Sequence, residues 1–124
     1  MENTNIELTP EEQDQQFWER TQARANELTT ARKARIIPFA VQDRDTLELL
    51  PGYMYELDPI TDAKLYAAQM VGPEVSLPKG LQAADSMVLW TESDARLSEK
   101  KYKKAVALCV LSQVEGATPL LKKK

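Results

Sequence analysis

The chain has 124 residues, a net charge of −3 from 16 basic and 19 acidic residues, one cysteine and no histidine. A chain of this length can bury one modest core, and its apolar fraction of 43% argues against wholesale disorder. The lack of histidine excludes Ser-His-Asp and Cys-His catalysis and histidine-ligated metals. A single cysteine excludes a disulfide framework or a cysteine zinc site within one chain.

The opening MENTNIEL carries neither the positive nor the apolar segment of a secretory signal. The longest apolar run, Ala105 to Leu111, is too short to cross a bilayer, which needs about 20 residues. We therefore expect a cytoplasmic protein, or one incorporated into a virion assembled in the cytoplasm, with no membrane partner. For Lys122–Lys124 a solvated basic tail is favoured over a targeting or lipid-binding signal.

Charge is arranged in blocks. Residues 1–19 hold six acids and no bases, and residues 20–44 hold six bases and two acids. Residues 45–95 hold nine acids and two bases, and residues 96–124 hold eight bases and two acids. Such blocks can neutralise one another on one compact surface, or they can orient a neighbouring copy or another partner. The sequence leaves both alternatives open.

A mobile arm is expected over residues 1–8, followed by a long helix over residues 9–35. Thr9 and Glu12 fit a capping box, and Pro10 fits the first helical position. Pro38 prevents simple continuation of the helix.

This first helix is long and mostly polar. Its few apolar positions give a narrow seam in steps of three and four residues, formed by Trp18, Thr21, Ala25 and Leu28. A seam of this kind buries little area within one domain, so the helix is predicted to lie against another chain. The alternative is an arm that caps its own core through Phe17 and Trp18.

Residues 36–57 are the most strand-like part of a compact domain predicted over residues 36–121. Two short apolar runs flank Pro51-Gly52, a pair that suits a type II turn and hence a small hairpin. The rival interpretation is irregular packing with a helical turn at 44–50.

A second helix is predicted from Asp58-Pro59 to Gly72-Pro73, because its start is capped and its end is broken. Five apolar residues share one face of this helix: Ile60, Ala63, Ala67, Met70 and Val71. Ala63 and Ala67, four residues apart, would allow close approach of another helix. A third helix is expected over residues 79–90, after a loop at 76–80. Its inward residues would be Leu81, Ala84 and Val88, with Trp90 on the far side.

A fourth helix is predicted to open at the capping signature Thr91 to Asp94 and to end before Gly116. A later start at Ser98 would place Lys100 and Lys101 against the positive helix end. The apolar second half indicates a central buried helix. Its inward side would carry Tyr102, Val106, Cys109, Val110 and Gln113, and Leu120 and Leu121 would tuck back beyond it. The fold class is thus mainly α, with about four helices and a short β-hairpin or irregular segment.

Four lysines surround Tyr102: Lys100, Lys101, Lys103 and Lys104. They could bind an acidic protein surface or, less favoured, nucleic acid, or they could form a solvated face. Cys109 lies in an apolar run and is expected to be an inert core residue. The pairs Asp43/Asp45 and Asp58/Asp62 fit turn and capping roles, since they lack the ligand density of a calcium loop.

The four glycines form no phosphate-binding loop, so nucleotide binding is not expected. Together with the lack of histidine, this predicts no cofactor, metal, small-molecule substrate or enzymatic activity. The predicted function is non-enzymatic protein binding or assembly, as a small structural subunit or adaptor of the kind found in phage or prophage particles. Its partner would be copies of itself or a larger assembly. The alternative is a small regulator or inhibitor that binds a host protein or nucleic acid through the basic helix. The predicted contact residues are Phe17, Trp18, Thr21, Ala25, Leu28, Arg32, Lys100, Lys101, Lys103 and Lys104.

Overall fold

The computed structural model describes residues 9–114. The predicted arm over residues 1–8, the return of Leu120 and Leu121, and the basic tail Lys122–Lys124 lie outside these residues. The elements in chain order are α1 Pro10–Arg32, β1 Ile36–Gln42, β2 Leu49–Tyr55, α2 Pro59–Val71, α3 Pro73–Met87, a 3-10 helix Ala95–Ser98, and α4 Lys100–Leu111. The predicted mainly helical fold with four helices and a hairpin is confirmed.

Helix α1 begins where its capping box predicts. The Glu12 backbone N–H donates to Thr9 Oγ1 at 3.1 Å, and the Thr9 N–H donates to Glu12 Oε1 at 2.9 Å. The helix ends at Arg32 because Lys33 adopts the left-handed conformation at φ 56°. This end lies three residues before the predicted one, since such a residue closes a helix without a glycine.

The hairpin is antiparallel, with Ile36 opposite Tyr55 and Gln42 opposite Leu49. The predicted turn at Pro51-Gly52 is wrong, because both residues lie within β2 and the chain reverses over residues 43–48. The Asp43 carboxylate builds that turn by accepting the backbone N–H groups of Asp45 and Thr46 at 2.8 and 3.0 Å. Short side chains that bond their own backbone favour turns in this way.

Pro51 is tolerated in β2 because its backbone nitrogen and carbonyl point away from β1, so no hydrogen bond to β1 is lost. The neighbouring Tyr53 carbonyl accepts the Leu89 N–H at 2.8 Å, and the Pro51 carbonyl accepts the Asp94 N–H at 2.9 Å. The Tyr53 N–H donates to Ser93 Oγ at 3.0 Å. Residues 88–94 thus cover the outer edge of β2, where a proline costs no bond to β1.

The hairpin lies between two helical layers, as the alternation of side chains along a strand requires. On one face, Ile36 and Tyr53 pack with Ala25 and Leu28 of α1. The other face packs on α2, α3 and α4 and forms the larger core, which includes Phe39, Val41, Leu50, Met54, Leu65, Ala84, Val106 and Val110. Helix α1 therefore covers its own sheet.

Helix α2 has the predicted limits, and Asp58 caps it by accepting the Thr61 N–H at 2.8 Å. The apolar face that the sequence predicts for this helix does not pack on the core. Leu65 and Ala68 are buried, whereas Ile60, Met70 and Val71 are 68%, 74% and 65% exposed. The reason is that α2 carries apolar residues on both sides. The tight connection at Gly72, with φ 144°, packs α3 against the side of α2 that carries Leu65 and Ala68, which has fewer apolar residues than the exposed side.

Helix α3 starts at Pro73, so the loop predicted at 76–80 is helical and Pro78 lies inside it. Pro78 is exposed, and water can therefore reach the carbonyl that loses its helical donor. Ala84 and Val88 are buried as predicted, whereas Leu81 is 37% exposed.

Helix α4 starts at Lys100, and the predicted start near Thr91 is wrong. Asp94 caps the separate 3-10 helix by accepting the Arg96 N–H at 2.9 Å. The positive charge of Lys101, which lies unfavourably in the first turn of α4, is balanced by the Asp43 carboxylate 3.1 Å away. The prediction that the second half of this helix is buried on all sides is also wrong, because Leu108 is 49% exposed.

Candidate protein-interaction surfaces

The seam of α1 is covered by the same chain. Thr21, Ala25 and Leu28 are buried, and Phe17 is buried as well, with only 8% of it exposed. These four residues therefore do not offer a free surface to a partner, contrary to the interpretation of the seam as an intermolecular contact. Trp18 differs from them, because 43% of it is exposed.

Polar contacts fix α1 to the rest of the chain. Arg24 forms an ion pair with Glu92 at 2.6 Å, and Arg32 donates to the Tyr55 hydroxyl at 3.0 Å. A longer contact of 3.8 Å joins Arg32 to Glu92. Arg32, expected to contact a partner, thus serves an intramolecular contact between α1 and the hairpin.

Trp18 borders a groove between α1 and β1, here called the Trp18 groove. Its α1 wall is formed by Trp18, Gln22, Asn26 and Thr29, its β1 wall by residues 35–38, and its volume is about 530 Å³. On its other side Trp18 borders a shallower hollow of about 580 Å³ on α1, shared with Gln22 and Asn26. The Phe17 ring meets Trp18 edge-on, with centroids 5.3 Å apart and planes at 84°. This geometry is the favourable one for aromatic pairs, so the buried ring supports the exposed one.

The strand wall of the Trp18 groove does not offer a free β edge. Pro38 has no N–H, and the Ile36 N–H already donates to Thr29 Oγ1 at 3.0 Å. The Ala40 carbonyl accepts the Cys109 thiol at 3.5 Å. A partner in this groove would therefore contact side chains rather than add a strand to the sheet.

The four lysines of α4 do not act as one basic patch. Lys101 pairs with Asp43 at 3.1 Å, and Lys103 lies 3.6 Å from Asp85. The Lys103 ammonium also lies over the Trp90 ring, 4.7 Å from its centroid. Lys100 and Lys104 are exposed and form no ion pair with any residue in the 9–114 range. Of the four lysines of α4, these two are left without an acidic partner among residues 9–114.

Asp43 and Tyr102 are buried and form, with the exposed Lys101, a polar cluster that the sequence patterns did not reveal. The Tyr102 hydroxyl donates to the Asp43 carboxylate at 2.5 Å. This bond, the turn N–H groups and Lys101 hold the pKa of Asp43 well below its ordinary value. The same carboxylate raises the pKa values of Tyr102 and Lys101. Every member is satisfied within the chain, and the cluster joins the hairpin turn to the start of α4. The only sequence signal was an aspartate placed directly after an apolar strand.

Several ion pairs join oppositely charged blocks within residues 20–114. Arg96 donates to Glu48 through both terminal nitrogens at 3.0 Å and to Asp94 at 2.9 Å. Arg96 therefore lowers the pKa values of both carboxyl groups. Arg35 pairs with Glu56 at 2.8 Å. Of the two alternatives for the blocks, these contacts favour intramolecular neutralisation.

Cys109 lies partly buried on α4. Burial raises the pKa of its thiol, so the unreactive protonated form is favoured. This environment agrees with the expected role as a packing residue.

Helix α2 exposes the apolar face that its sequence predicts. We call Ile60, Ala63, Ala67, Met70 and Val71 the α2 stripe, and each of its members is exposed. A contiguous stripe differs from the scattered single apolar side chains that every protein surface carries.

No family model matches the chain, and no curated protein or solved structure matches it. Within residues 9–114, no three His, Cys, Asp or Glu side chains come together as a metal site. None of the helices in that part of the chain has the length and apolar character needed to traverse a membrane.

Proposed function

We propose that this chain is a non-enzymatic protein-binding subunit that docks another protein at the Trp18 groove. The observation that carries the proposal is the Trp18 side chain, 43% exposed between two hollows and supported by the buried Phe17 ring. Tryptophan is among the residues that contribute most to binding when a partner covers them.

The fixed position of α1 supports this proposal. Leu28 and Ala25 seal the helix to the hairpin, and Arg24 ties it to Glu92. A partner would therefore meet a surface that is already ordered, and little conformational entropy would be lost on binding.

The groove suits a protein segment with an apolar anchor and polar flanks. Trp18 and Pro38 offer apolar surface, while Gln22 and Asn26 offer amide donors and acceptors, and most of the exposed lining is polar. A partner that covers Trp18 would therefore make one main apolar contact within a polar surround, and protein interfaces combine contacts of both kinds. The docking element is thus one flank of α1 with the edge of β1, rather than the whole helix.

The basic-helix alternative has less support, since Lys101 and Lys103 are compensated by acids of the same chain. The expected cytoplasmic location and the assignment to a phage particle stay predictions.

Photo-cross-linking in cells that make the protein tests the proposal. A photoreactive benzoylphenylalanine replaces Gln22, which lines the groove, or Gln16, which is an exposed glutamine on the same helix but lies outside the groove. We expect a discrete adduct from position 22 and none from position 16. Excess unlabelled wild type should compete for that adduct, and excess Trp18→Ala should not. Equal adducts from both positions, no adduct, or equal competition by Trp18→Ala would contradict the proposal.

A further inference from the structure

We infer that the α2 stripe is a self-association surface, through which two copies of this chain pack their α2 helices antiparallel about a two-fold axis near residue 65. This surface is separate from the Trp18 groove, because α1 and α2 lie on opposite faces of the hairpin.

The stripe is a single face of the helix. Its members are spaced by three, four and three residues from Ile60 to Met70, which places them in one line along the surface. Leu65 and Ala68, which hold α2 on the core, are 2% and 3% exposed and point the other way. Ile60 and Met70 are, by contrast, among the most exposed large apolar residues of the chain.

From Ile60 to Met70, the order of large and small side chains is the same in both directions, and Val71 adds a further apolar residue at one end. A large residue, two alanines and a large residue follow one another at positions 60, 63, 67 and 70. In an antiparallel pair centred on residue 65, Ile60 faces Met70 of the second copy, and Ala63 faces Ala67 of the second copy. A two-fold interface requires this kind of self-complementary surface, because the same patch is used by both subunits. The palindromic order therefore specifies a second copy as the occupant.

The two central alanines let the helices approach closely, toward the 8 Å limit of helix packing. No charged residue interrupts the stripe, and Lys64 beside it can extend its ammonium group into water. Five residues are far fewer than the roughly 20–30 residues, or ~800 Å², that each partner contributes to a stable complex. The dimer is therefore expected to be weak and concentration-dependent.

Sedimentation equilibrium of the purified full chain from about 10 μM to 1 mM tests the inference. The average mass should rise from 14.0 kDa toward twice that value. Ala67→Glu, which places a charge in the centre of the stripe on an exposed position, should weaken association at least tenfold. Leu108→Glu is the matched control, because it adds the same charge at an exposed apolar residue of α4 and should leave association unchanged.

Cysteine pairing tests the antiparallel geometry. In a Cys109→Ser background, Ala63→Cys with Ala67→Cys should oxidise to a covalent dimer at least tenfold faster than either single variant. Positions 63 and 67 of the two copies face each other only in the antiparallel arrangement. A parallel pair would instead let each single variant cross-link to itself.

A chain that stays monomeric at 1 mM, or an association that Ala67→Glu does not weaken, would overturn the inference. If another part of the same chain covers the stripe, the protein should stay monomeric and Ala67→Glu should lower its melting temperature. Faster cross-linking of a single variant would also overturn it. These results would leave the Trp18 proposal standing, and a failed cross-link at position 22 would leave this inference standing.

Discussion

The Tyr102 hydroxyl donates a 2.5 Å hydrogen bond to the carboxylate of Asp43, a residue 59 positions earlier in the chain. Asp43 forms the hairpin turn through its other contacts, and Tyr102 lies in the first turn of α4. Only 5% of Asp43 and 8% of Tyr102 are exposed. The bond therefore couples the turn of the sheet to the position of the last helix.

Tyr102→Phe should lower the melting temperature by roughly 5 °C, because it leaves a buried carboxylate with one donor fewer. The effect should shrink in an Asp43→Ala background, where the acceptor is already gone. Differential scanning calorimetry of the two single variants and the double variant measures this coupling. Tyr66→Phe is the control, since the Tyr66 hydroxyl has no hydrogen bond with the described residues. Additive losses would contradict the coupling.

The free energy of unfolding should fall as the pH is lowered below the ordinary pKa of an aspartate, because Asp43 is then protonated more readily in the unfolded chain. The pKa of its carboxyl is depressed in the folded chain, so the unfolded chain binds a proton more readily. The contribution of Asp43 is therefore complete above pH ~4, the ordinary value, and is lost as pH falls toward the folded value. Asp43→Asn should be less stable at pH 7 and should lose less stability between about pH 4 and pH 2. Urea unfolding at several pH values checks this, and parallel profiles for the two proteins would contradict it.

Leu28→Ala and Trp18→Ala should separate the two sides of α1. Leu28 is 4% exposed in the contact with the hairpin, so its truncation should cost about 2–4 kcal/mol in the free energy of unfolding. Trp18 is exposed, and its truncation should cost no more than about 1 kcal/mol. Denaturant unfolding followed by circular dichroism gives both values. A negligible loss for Leu28→Ala would mean that α1 is not sealed to its own sheet.

Gly52→Ala should destabilise the hairpin by about 1–3 kcal/mol, as overpacking does. Gly52 lies opposite Phe39, and a Cβ atom there would overlap the Phe39 ring. The smaller side chain of Phe39→Leu should recover part of this loss in the double variant. A Gly52→Ala protein as stable as the wild type would show that the ring can move aside at no cost.

Local signals predicted the starts of two helices correctly. Thr9 with Glu12, and Asp58 with Pro59, lie within four residues of the backbone groups that they satisfy, so sequence alone identifies them. The hairpin turn could not be found in the same way. Pro51-Gly52 is a strong turn signal, but it was overridden by contacts of β2 with residues 88–94, about 40 positions away.

The interaction surfaces were predicted only in part. Trp18, a predicted contact residue, is exposed, but its seam neighbours Thr21, Ala25 and Leu28 are buried in the same chain. The sequence showed that α2 has an apolar face, but not which side would meet α3. That choice depends on the turn at Gly72 and on packing, which no periodicity within α2 contains.

The most direct test of the proposed function is the affinity of the partner cross-linked at position 22, measured by isothermal titration calorimetry. Trp18→Ala should bind that purified partner at least tenfold more weakly than the wild type, whereas Leu108→Ala should bind it equally well. Wild-type affinity in the Trp18→Ala protein would contradict the central claim that this side chain anchors the interface.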